Sequence, residues 1–412
     1  MLALAGQQVL ARSLPAGVPA ALVMNTHITG LAVARSLGRA GVPVLGLDKE
    51  RGGAGQHSRH LAGLGLVPGP EVDGGAALAA HLVALGPSFA TRPVLFPTND
   101  DWVLALAAHR QTLERHYAFP FAAHDVVRRA LSKTALYRAC ERLGVACPRS
   151  WYLDEMAPEQ VADLVPYPCV LKPDDSRGFY NAFQAKVFVV ADRTQFLARV
   201  AQCAALGLTL VAQEWIGTDP GGFWSVASYL SPGGEARGVF TGRKLEQWPP
   251  DFGTSCLADA VWDPAIADAG VAVLRELGYH GISEIEFVRD AATGALLLLD
   301  VNTRAWKWVG LPIAAGIDLP LLAYRDATGA PFTAGRQTDG VRWTFLRDYV
   351  QLVRARAATV PEAAVSKSEW VDLLAGRPTT VVDGVHDPDD PEPSYDLLWE
   401  QLAGSGGYSC AC

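Results

Sequence analysis

The sequence predicts an α/β protein in which an open parallel sheet is followed by an α+β domain and a small C-terminal region of helical and irregular structure. Two strand–helix patterns occupy the first 120 residues, whereas hairpin-like strand pairs dominate from about residue 149. Half of the 412 residues are hydrophobic, which suffices for large cores and for about three units of roughly 150 residues each. We expect domains at 1–120, 121–335 and 336–412.

The N-terminal sheet is predicted from two units whose strands end in polar tips. Strand Ala21–Asn25 leads into a helix that stops at Gly41, and strand Val42–Asp48 follows. Strand Val94–Pro97 precedes an amphipathic helix that reaches about His116. The first turn lacks GxGxxG, so it does not support a dinucleotide fingerprint. Both tips lie at the edge where ligands bind in such sheets, although ordinary polar loops would look the same.

The second part of the chain alternates strands and helices in the manner of an α+β domain. A helix is predicted over 124–145, and an acidic, proline-rich stretch covers 387–393. The predicted strands are Tyr167–Lys172, Ala185–Val190, Leu210–Ile216, Phe223–Leu230, Gly238–Leu245, Gly281–Arg289 and Ala295–Asn302, and further helices span about 193–206, 264–277 and 343–356.

Composition and charge exclude several function classes. A net charge of −8 argues against binding to the backbone of a nucleic acid or to an anionic membrane. Seven cysteines without a CxxC pair do not form a disulfide framework. No apolar run approaches the ~18 residues of a membrane span, and the first residues lack the cationic start of a signal peptide. We therefore expect a cytoplasmic protein without nucleic-acid or membrane partners.

Lysine is rare in this chain and marks positions of interest. Only seven of the 35 basic residues are lysine. Where arginine serves as the default cation, a remaining lysine is enriched at positions that need a compact ammonium group. The seven are Lys49, Lys133, Lys172, Lys186, Lys244, Lys307 and Lys367.

A hairpin with paired carboxylates is the strongest chemical signal. If its turn is centred on residue 293, Glu286 lies opposite Asp300 and Glu284 opposite Asn302, all on one face. Carboxylates about 4.5–5.5 Å apart at Cβ repel each other unless a proton or a cation intervenes. These oxygen donors suit Mg²⁺, although a solvent-facing polar hairpin would look alike. The other face is apolar and carries Ile285, Phe287, Leu299 and Val301.

Two further segments fit phosphate and base binding. An apolar strand ends in Lys172 and runs into a polar loop in which Ser176 and Gly178 could close over phosphates. A second apolar strand ends in Gln213 and Glu214, where backbone groups could contact the edge of a base. A surface hairpin and a strand that simply reaches the surface would give the same patterns.

The order of these segments resembles the ATP-grasp superfamily. Lys133, LKPDDSRG, QEWIG, GISEIEF and LLLLDVNTR follow one another over roughly residues 125–330, after a βαβ domain in the expected place. Within that superfamily, the chain is most similar to carboxylate–amine ligases, including D-aspartate ligase-like proteins. The segment 241–253 resembles the same branch.

The resemblance implies an ATP site. Lys133 and Lys172 would bind the α- and β-phosphates. The segment that would cover the triphosphate comprises Ser176, Arg177 and Gly178. The residues that would surround the nucleoside are Gln213, Glu214, Trp215 and Ile216 at the adenine, with Glu214 as the polar contact, and Asp219 at the ribose.

The resemblance also implies a metal and a catalytic cation. Mg²⁺, with Mn²⁺ as the alternative, would be held by Glu286, Asp300 and Asn302. Arg304 would face the transferred phosphoryl group or the acyl phosphate. The chain departs from the family by having Asp300 where glutamate is usual, and by the large residues Trp306, Lys307 and Trp308 that follow.

Arg243 and Lys244 are two further candidate catalytic residues. Adjacent side chains of a strand point to opposite faces, so one of the two is expected to face the site. A surface strand with two solvated cations is the alternative.

These observations favour an ATP-dependent carboxylate–amine ligase that forms an amide through an acyl phosphate and releases ADP and phosphate. Its substrates would be small-molecule or peptide carboxylates and amines, and a homo-oligomer is compatible with the sequence. The alternatives are an enzyme that uses bicarbonate as acceptor, a kinase that stops after phosphorylation, and a nucleotide-binding module without turnover whose C-terminal region contacts a partner.

Overall fold

Short buried strands build the N-terminal sheet. The computed structural model describes residues 1–174, 176–218, 221–250, 253–333, 335–359 and 380–402. Four strands among the first 100 residues pair in parallel, and the first, second and fourth are buried throughout because helices cover the sheet. The elements are α1 Leu4–Ser13, β1 Ala21–Met24, α2 Ile28–Arg39, β2 Val44–Asp48, β3 Leu61–Leu66, α3 Ala76–Leu85, β4 Val94–Pro97, α4 Asp100–Ala108 and α5 Arg110–Leu113.

The strand order β3-β2-β1-β4 confirms the predicted open parallel sheet. Helix α2 ends before Gly41, whose φ of 79° is the left-handed conformation that a glycine adopts easily. The helix predicted to reach His116 divides at His109 into α4 and α5. Strand β3 lies on a Gly-rich, weakly patterned segment and was not predicted.

A small antiparallel sheet follows, in the order β5-β8-β6-β7. The helix predicted over 124–145 is two helices, because Ser132 leaves the helical conformation and its hydroxyl caps the second helix at the Ala135 N–H. The elements are α6 His124–Leu131, α7 Lys133–Leu143, β5 Ser150–Tyr152, α8 Pro158–Leu164, β6 Cys169–Pro173, α9 Ser176–Phe183, β7 Phe188–Val190, α10 Arg193–Ala204 and β8 Leu210–Glu214.

A larger sheet carries the carboxylate hairpin and continues to the C-terminal region. Its order is β13-β12-β9-β10-β11-β14-β15, with β15 parallel to β14. The elements are β9 Phe223–Leu230, β10 Ala236–Trp248, β11 Thr254–Ala260, α11 Pro264–Glu276, β12 Gly281–Arg289, β13 Leu296–Asn302, α12 Gly310–Ala314, α13 Leu319–Thr328, β14 Val341–Thr344, α14 Leu346–Thr359, β15 Thr380–Asp383 and α15 Glu392–Leu402.

Strands β14 and β15 extend the large sheet past residue 335, so the last part of the chain adds strands as well as helices. The boundaries at 120 and 335 remain predictions. Separate clusters of buried apolar side chains fill the two faces of the large sheet and the small sheet. Within the described ranges, no helix is both long enough and apolar enough to cross a membrane.

The acidic, proline-rich stretch ties the C-terminal region to the N-terminal sheet. The Asp390 carboxylate, fully buried, accepts from Arg35 Nε at 2.8 Å, from the Ser58 hydroxyl at 2.6 Å and from the Arg59 backbone N–H at 2.8 Å. Arg35 also donates to the Val385 carbonyl at 2.9 Å. Burial alone would raise the pKa of Asp390, but the hydrogen bonds from Ser58, Arg59 and Arg35 lower it below its ordinary value.

We predict that Asp390→Ala lowers the free energy of unfolding by about 3–5 kcal/mol, because it removes the nearest counter-charge of the buried Arg35 and leaves Asp387 at 4.0 Å. Chemical denaturation measures this loss. Because the pKa of Asp390 is lowered, its contribution is complete above the ordinary value of 3.8 and disappears as the pH falls further. The matched control is Asp389→Ala, since Asp389 is exposed. Equal losses in both variants would contradict the role of the buried pair.

Candidate functional site

The carboxylate hairpin has the predicted register. Glu284 pairs with Asn302 and Glu286 with Asp300 across β12 and β13, so these four side chains lie on one face. The Asn302 amide donates to Glu284 Oε2 at 2.9 Å. The structure therefore confirms the cross-strand placement of two like charges.

One residue of the hairpin departs from the predicted pairing. After Glu286 the register shifts, Phe287 pairs with Leu298, and Leu299 has no partner on β12. A β-bulge of this kind adds one residue to one strand and turns the side chains beyond it. The buried apolar position predicted for Leu299 is accordingly occupied by Leu298, which is fully buried.

Glu284 lies in a buried and negatively charged environment. Its carboxylate accepts from the Ser225 hydroxyl at 2.8 Å, and the side chain is buried. Burial, followed by the charge of Glu286, raises the pKa of Glu284 to about 8. Repulsion between carboxylates therefore acts between Glu284 and Glu286 on one strand, in addition to the pair Glu286 and Asp300 that was expected from the sequence.

Asp300 is bound to a lysine from helix α7. Lys133 is the first residue of α7 and forms an ion pair with Asp300 Oδ1. Burial raises the pKa of Asp300, but the charge of Lys133 outweighs it, so the pKa is lowered. The reciprocal balance raises the pKa of Lys133. Both groups are therefore charged at neutral pH.

Lys172 approaches the same centre from the small sheet. Its Nζ donates to the Tyr137 hydroxyl at 2.9 Å, and Tyr137 lies one turn after Lys133 on α7. The pKa of Lys172 is lowered, because the effect of burial exceeds the opposing effect of the negative charges on Asp300 and Glu286. The ammonium group is therefore near Glu286 and Asp300, two of the three predicted metal ligands.

Arg304 joins the hairpin to the N-terminal sheet. This buried side chain binds the Asp100 carboxylate, with Nε donating at 3.0 Å, and its Nη2 lies 3.5 Å from the Asn302 amide oxygen. Asp100 begins α4, directly after the cap residue Asn99, whose amide oxygen accepts from the Trp102 N–H. The polar tip after β4 is therefore part of the site.

Strand β10 separates Lys244 from Arg243. Lys244 pairs with Phe223 and lies with its Nζ 4.5 Å from the centre of that ring, on the face that also carries Ser225 and Glu286. Arg243 points to the opposite face, where its Nε donates to the Gly221 carbonyl at 2.5 Å. As expected for neighbours on a strand, only one of the two candidates, Lys244, lies on the face of the carboxylates, and the catalytic roles of both residues stay predictions.

Lys186, to which the sequence analysis assigned no role, also lies near this centre. The Lys186 side chain is exposed at the surface. Desolvation by the neighbouring protein nevertheless lowers its pKa, and the charge of Glu286 opposes this effect only in part. The charges of Lys244, Asp300 and Arg304 also contribute to the pKa of Lys186. The rarity of lysine was the signal that could have found it. We call the following groups the charged cluster: Lys133, Lys172, Lys186, Lys244, Arg304, Glu284, Glu286 and Asp300.

The segment expected to cover a triphosphate is helical. Ser176, Arg177 and Gly178 form the first turn of α9 instead of the predicted polar loop. Arg177 Nη2 lies 2.8 Å from Asp101 Oδ2, so this helix touches the tip after β4. Desolvation raises the pKa of Asp101, although the charge of Arg177 opposes that effect.

The segment expected at the adenine follows β8. Gln213 is buried, and its amide donates to the Ser150 hydroxyl at 3.0 Å. The Glu214 carboxylate accepts from the Arg149 N–H at 2.7 Å. Beyond the strand, the Trp215 ring is exposed and Ile216 is half-buried. Asp219, expected at the ribose, lies outside the described residues.

The oxygen donors on the hairpin face fit Mg²⁺ bound together with a phosphate. Across the described part of the chain, no three His, Cys, Asp or Glu side chains gather into a ready-made metal site. Glu286, Asp300 and Asn302 instead supply two carboxylates and an amide, and Asp300 is bound to Lys133. Mg²⁺ takes one or two carboxylates and completes its shell with water and phosphate oxygens, so this incomplete set suits it.

Comparisons with known proteins identify the fold. No protein-family model matches the chain, and no curated protein matches its sequence. Among solved structures, L-amino acid ligase from Bacillus licheniformis aligns over 76% of this chain and 75% of its own, with a TM-score of 0.56 and 16% identity. Biotin carboxylase from Campylobacter jejuni aligns over 76% and 71%, with a TM-score of 0.58 and 14% identity.

N5-carboxyaminoimidazole synthetase from Staphylococcus aureus aligns over 84% of this chain and 87% of its own, with a TM-score of 0.58 and 13% identity. These similarities confirm the predicted ATP-grasp fold. At such low identity, they concern the fold alone.

We predict that Glu286→Gln stabilises the protein in the absence of metal, because it removes the charge that repels Glu284. The pKa of Glu284 is raised to about 8, so its ionisation increasingly disfavours the folded state as the pH rises from its ordinary value of 4.5 towards 8. We expect a gain on the order of 1 kcal/mol above about pH 8 and little gain near pH 5.

Denaturation at the two pH values, with a chelator present, measures this difference. The matched control is Glu159→Gln, an exposed glutamate on α8 that should give no pH-dependent gain. A variant that is less stable than wild type at high pH would contradict the repulsion.

Proposed function

We propose that this protein is an ATP-dependent ligase that joins a carboxylate to an amine through an acyl phosphate, with an amino acid or a peptide among its substrates. The observation that carries the proposal is the charged cluster, in which four lysines and an arginine surround three carboxylates between two sheets. The resemblance of the motifs to carboxylate–amine ligases and the similarity in fold to an L-amino acid ligase support it.

The lysines of the charged cluster are suited to a triphosphate. Lys133 and Lys172 come from different elements and lie near the same carboxylates, so they can contact successive phosphates. Their ammonium groups are compact point charges, which offset the negative charge of phosphate oxygens from any direction. Mg²⁺ would be held by Glu286, Asp300 and Asn302 and would supply further charge neutralisation at those oxygens. Solved structures of related fold bind Mg-ADP or ADP.

Lys244 and Arg304 are suited to the transferred group. In the proposed reaction, a carboxylate oxygen of the substrate takes the γ-phosphoryl group and ADP leaves. The amine then attacks the acyl carbon, phosphate leaves, and the nitrogen loses a proton. Each step moves negative charge between oxygens, and fixed cations on the hairpin face stabilise that charge without rearranging. Arg304 is already held by Asp100, so its orientation is set before a substrate arrives.

Carboxylation is the second candidate. It is favoured by the similarity in fold to a 2-oxoglutarate carboxylase domain solved with Mg-ADP and bicarbonate, at 16% identity and a TM-score of 0.59. The ATP site would be the same, and bicarbonate would take the place of the substrate carboxylate.

The decisive experiment is ADP release across a panel of amino acids, with and without amine acceptors, and with bicarbonate as a separate arm. We expect ADP release that requires both a carboxylate and an amine, with Glu286→Gln inactive as the control. Release with bicarbonate alone would favour carboxylation. Release with an acid alone, together with a stable phosphorylated product, would indicate a kinase. Nucleotide binding without release under any condition would indicate a binding module.

We also predict that Lys244→Ala slows the reaction by ~10²-fold or more, because it removes a cation from the face where charge develops. Arg243→Ala is the matched control from the same strand and should have a much smaller effect, since Arg243 points to the other face. Initial rates at saturating ATP and acceptor measure both, with thermal midpoints as a check on folding. Similar rates for the two variants would remove Lys244 from the mechanism.

A further inference from the structure

Tyr137 is a buried polar group that the proposed mechanism does not use. Its side chain is fully buried on α7, one helical turn after Lys133. The hydroxyl lies 2.7 Å from the Leu299 carbonyl oxygen and 2.9 Å from Lys172 Nζ. It therefore links three elements, namely α7, the small sheet through Lys172 and the carboxylate hairpin through Leu299.

The direction of these hydrogen bonds is determined by their chemistry. A carbonyl oxygen can only accept, so the single phenol proton goes to Leu299, and the phenol lone pairs remain for the Lys172 ammonium. Burial raises the pKa of Tyr137, so the hydroxyl keeps its proton at neutral pH. The ammonium also lies 5.5 Å from the centre of the Tyr137 ring. The Tyr137 hydroxyl can therefore donate to Leu299 and accept from Lys172 at the same time.

The β-bulge explains why this carbonyl is available. Leu299 has no register partner on β12, and β13 forms one edge of the large sheet. A bulged residue is left out of the regular ladder, so its carbonyl can accept from a side chain. The next residue is Asp300, which binds Lys133. Two consecutive residues of the hairpin therefore locate the two lysines, one directly and the other through Tyr137.

We propose that Tyr137 is a positioning residue that holds the Lys172 ammonium at the distance from Asp300 and Lys133 that a polyphosphate requires. The inference rests on the nucleotide site of the proposed function. Without the phenol oxygen, the half-buried Lys172 loses an acceptor and the Leu299 carbonyl loses its donor. Lys172 then samples several positions before a phosphate binds, and ordering it weakens binding.

The test is Tyr137→Phe, which removes one oxygen and keeps the ring. We expect it to weaken ADP binding by about 10- to 100-fold in calorimetry, the effect of losing a hydrogen bond to a charged group. The matched control is Tyr152→Phe, because Tyr152 is also a buried residue and its hydroxyl donates to Glu141 on α7, at 2.8 Å. That control should leave ADP affinity within about twofold of wild type.

A double-mutant cycle separates positioning from a general loss of structure. In a Lys172→Met background, Tyr137→Phe should have no further effect on ADP affinity, because the group that it positions is gone. Additive losses, or an ADP affinity of Tyr137→Phe equal to that of wild type, would overturn the inference while leaving the proposed function intact. Absence of ADP binding by the wild-type protein would overturn the proposed function and the inference together.

Discussion

Like charges placed opposite each other on one hairpin are the constraint on which the rest of the site depends. The register of β12 and β13 brings Glu286 and Asp300 together, and Glu284 lies two residues along the same face. Such a group is stable only with protons or cations close by. The chain supplies both, since the pKa of Glu284 is raised to about 8 and Lys133 binds Asp300. The contact between α7 and the carboxylate hairpin therefore also compensates charge.

The cations that compensate the hairpin come from separate parts of the chain. Lys133 begins α7, Lys172 lies on β6 of the small sheet, and Lys244 lies on β10 of the large sheet. Arg304 follows the hairpin and reaches the N-terminal tip at Asp100. The charged cluster consequently exists only when α7, the small sheet and the large sheet are folded together. The buried Asp390 provides a second link, because it holds the C-terminal region on the N-terminal sheet through Arg35.

Much of this arrangement could be predicted from local pattern, and the parts that could not share a cause. Strand alternation around a short turn was enough to pair Glu286 with Asp300, because a two-residue period leaves few registers. The bulge at Leu299, whose carbonyl accepts from Tyr137 more than 150 positions away, is not revealed by any local pattern. The contact of Arg177 in the first turn of α9 with Asp101 and the hydrogen bonds to Asp390 likewise join segments that are distant in the sequence.

The different uses of lysine and arginine give the charged cluster a physical logic. Arginine makes the lasting contacts. Arg304 places Nε and Nη2 against the two carboxylate oxygens of Asp100, whereas Arg35 binds the Asp390 carboxylate through Nε and main-chain carbonyls through Nη2. The lysines of the charged cluster occur where, on the proposed function, a cation must exchange a protein oxygen for a phosphate oxygen. Lys133 bound to Asp300 is such a case. An ammonium group suits that exchange because its attraction does not depend on a fixed orientation. On the proposed role of Tyr137, its hydroxyl orients the Lys172 ammonium. The single phenol proton is donated to the Leu299 carbonyl, so the lone pairs of the phenol oxygen accept from Lys172.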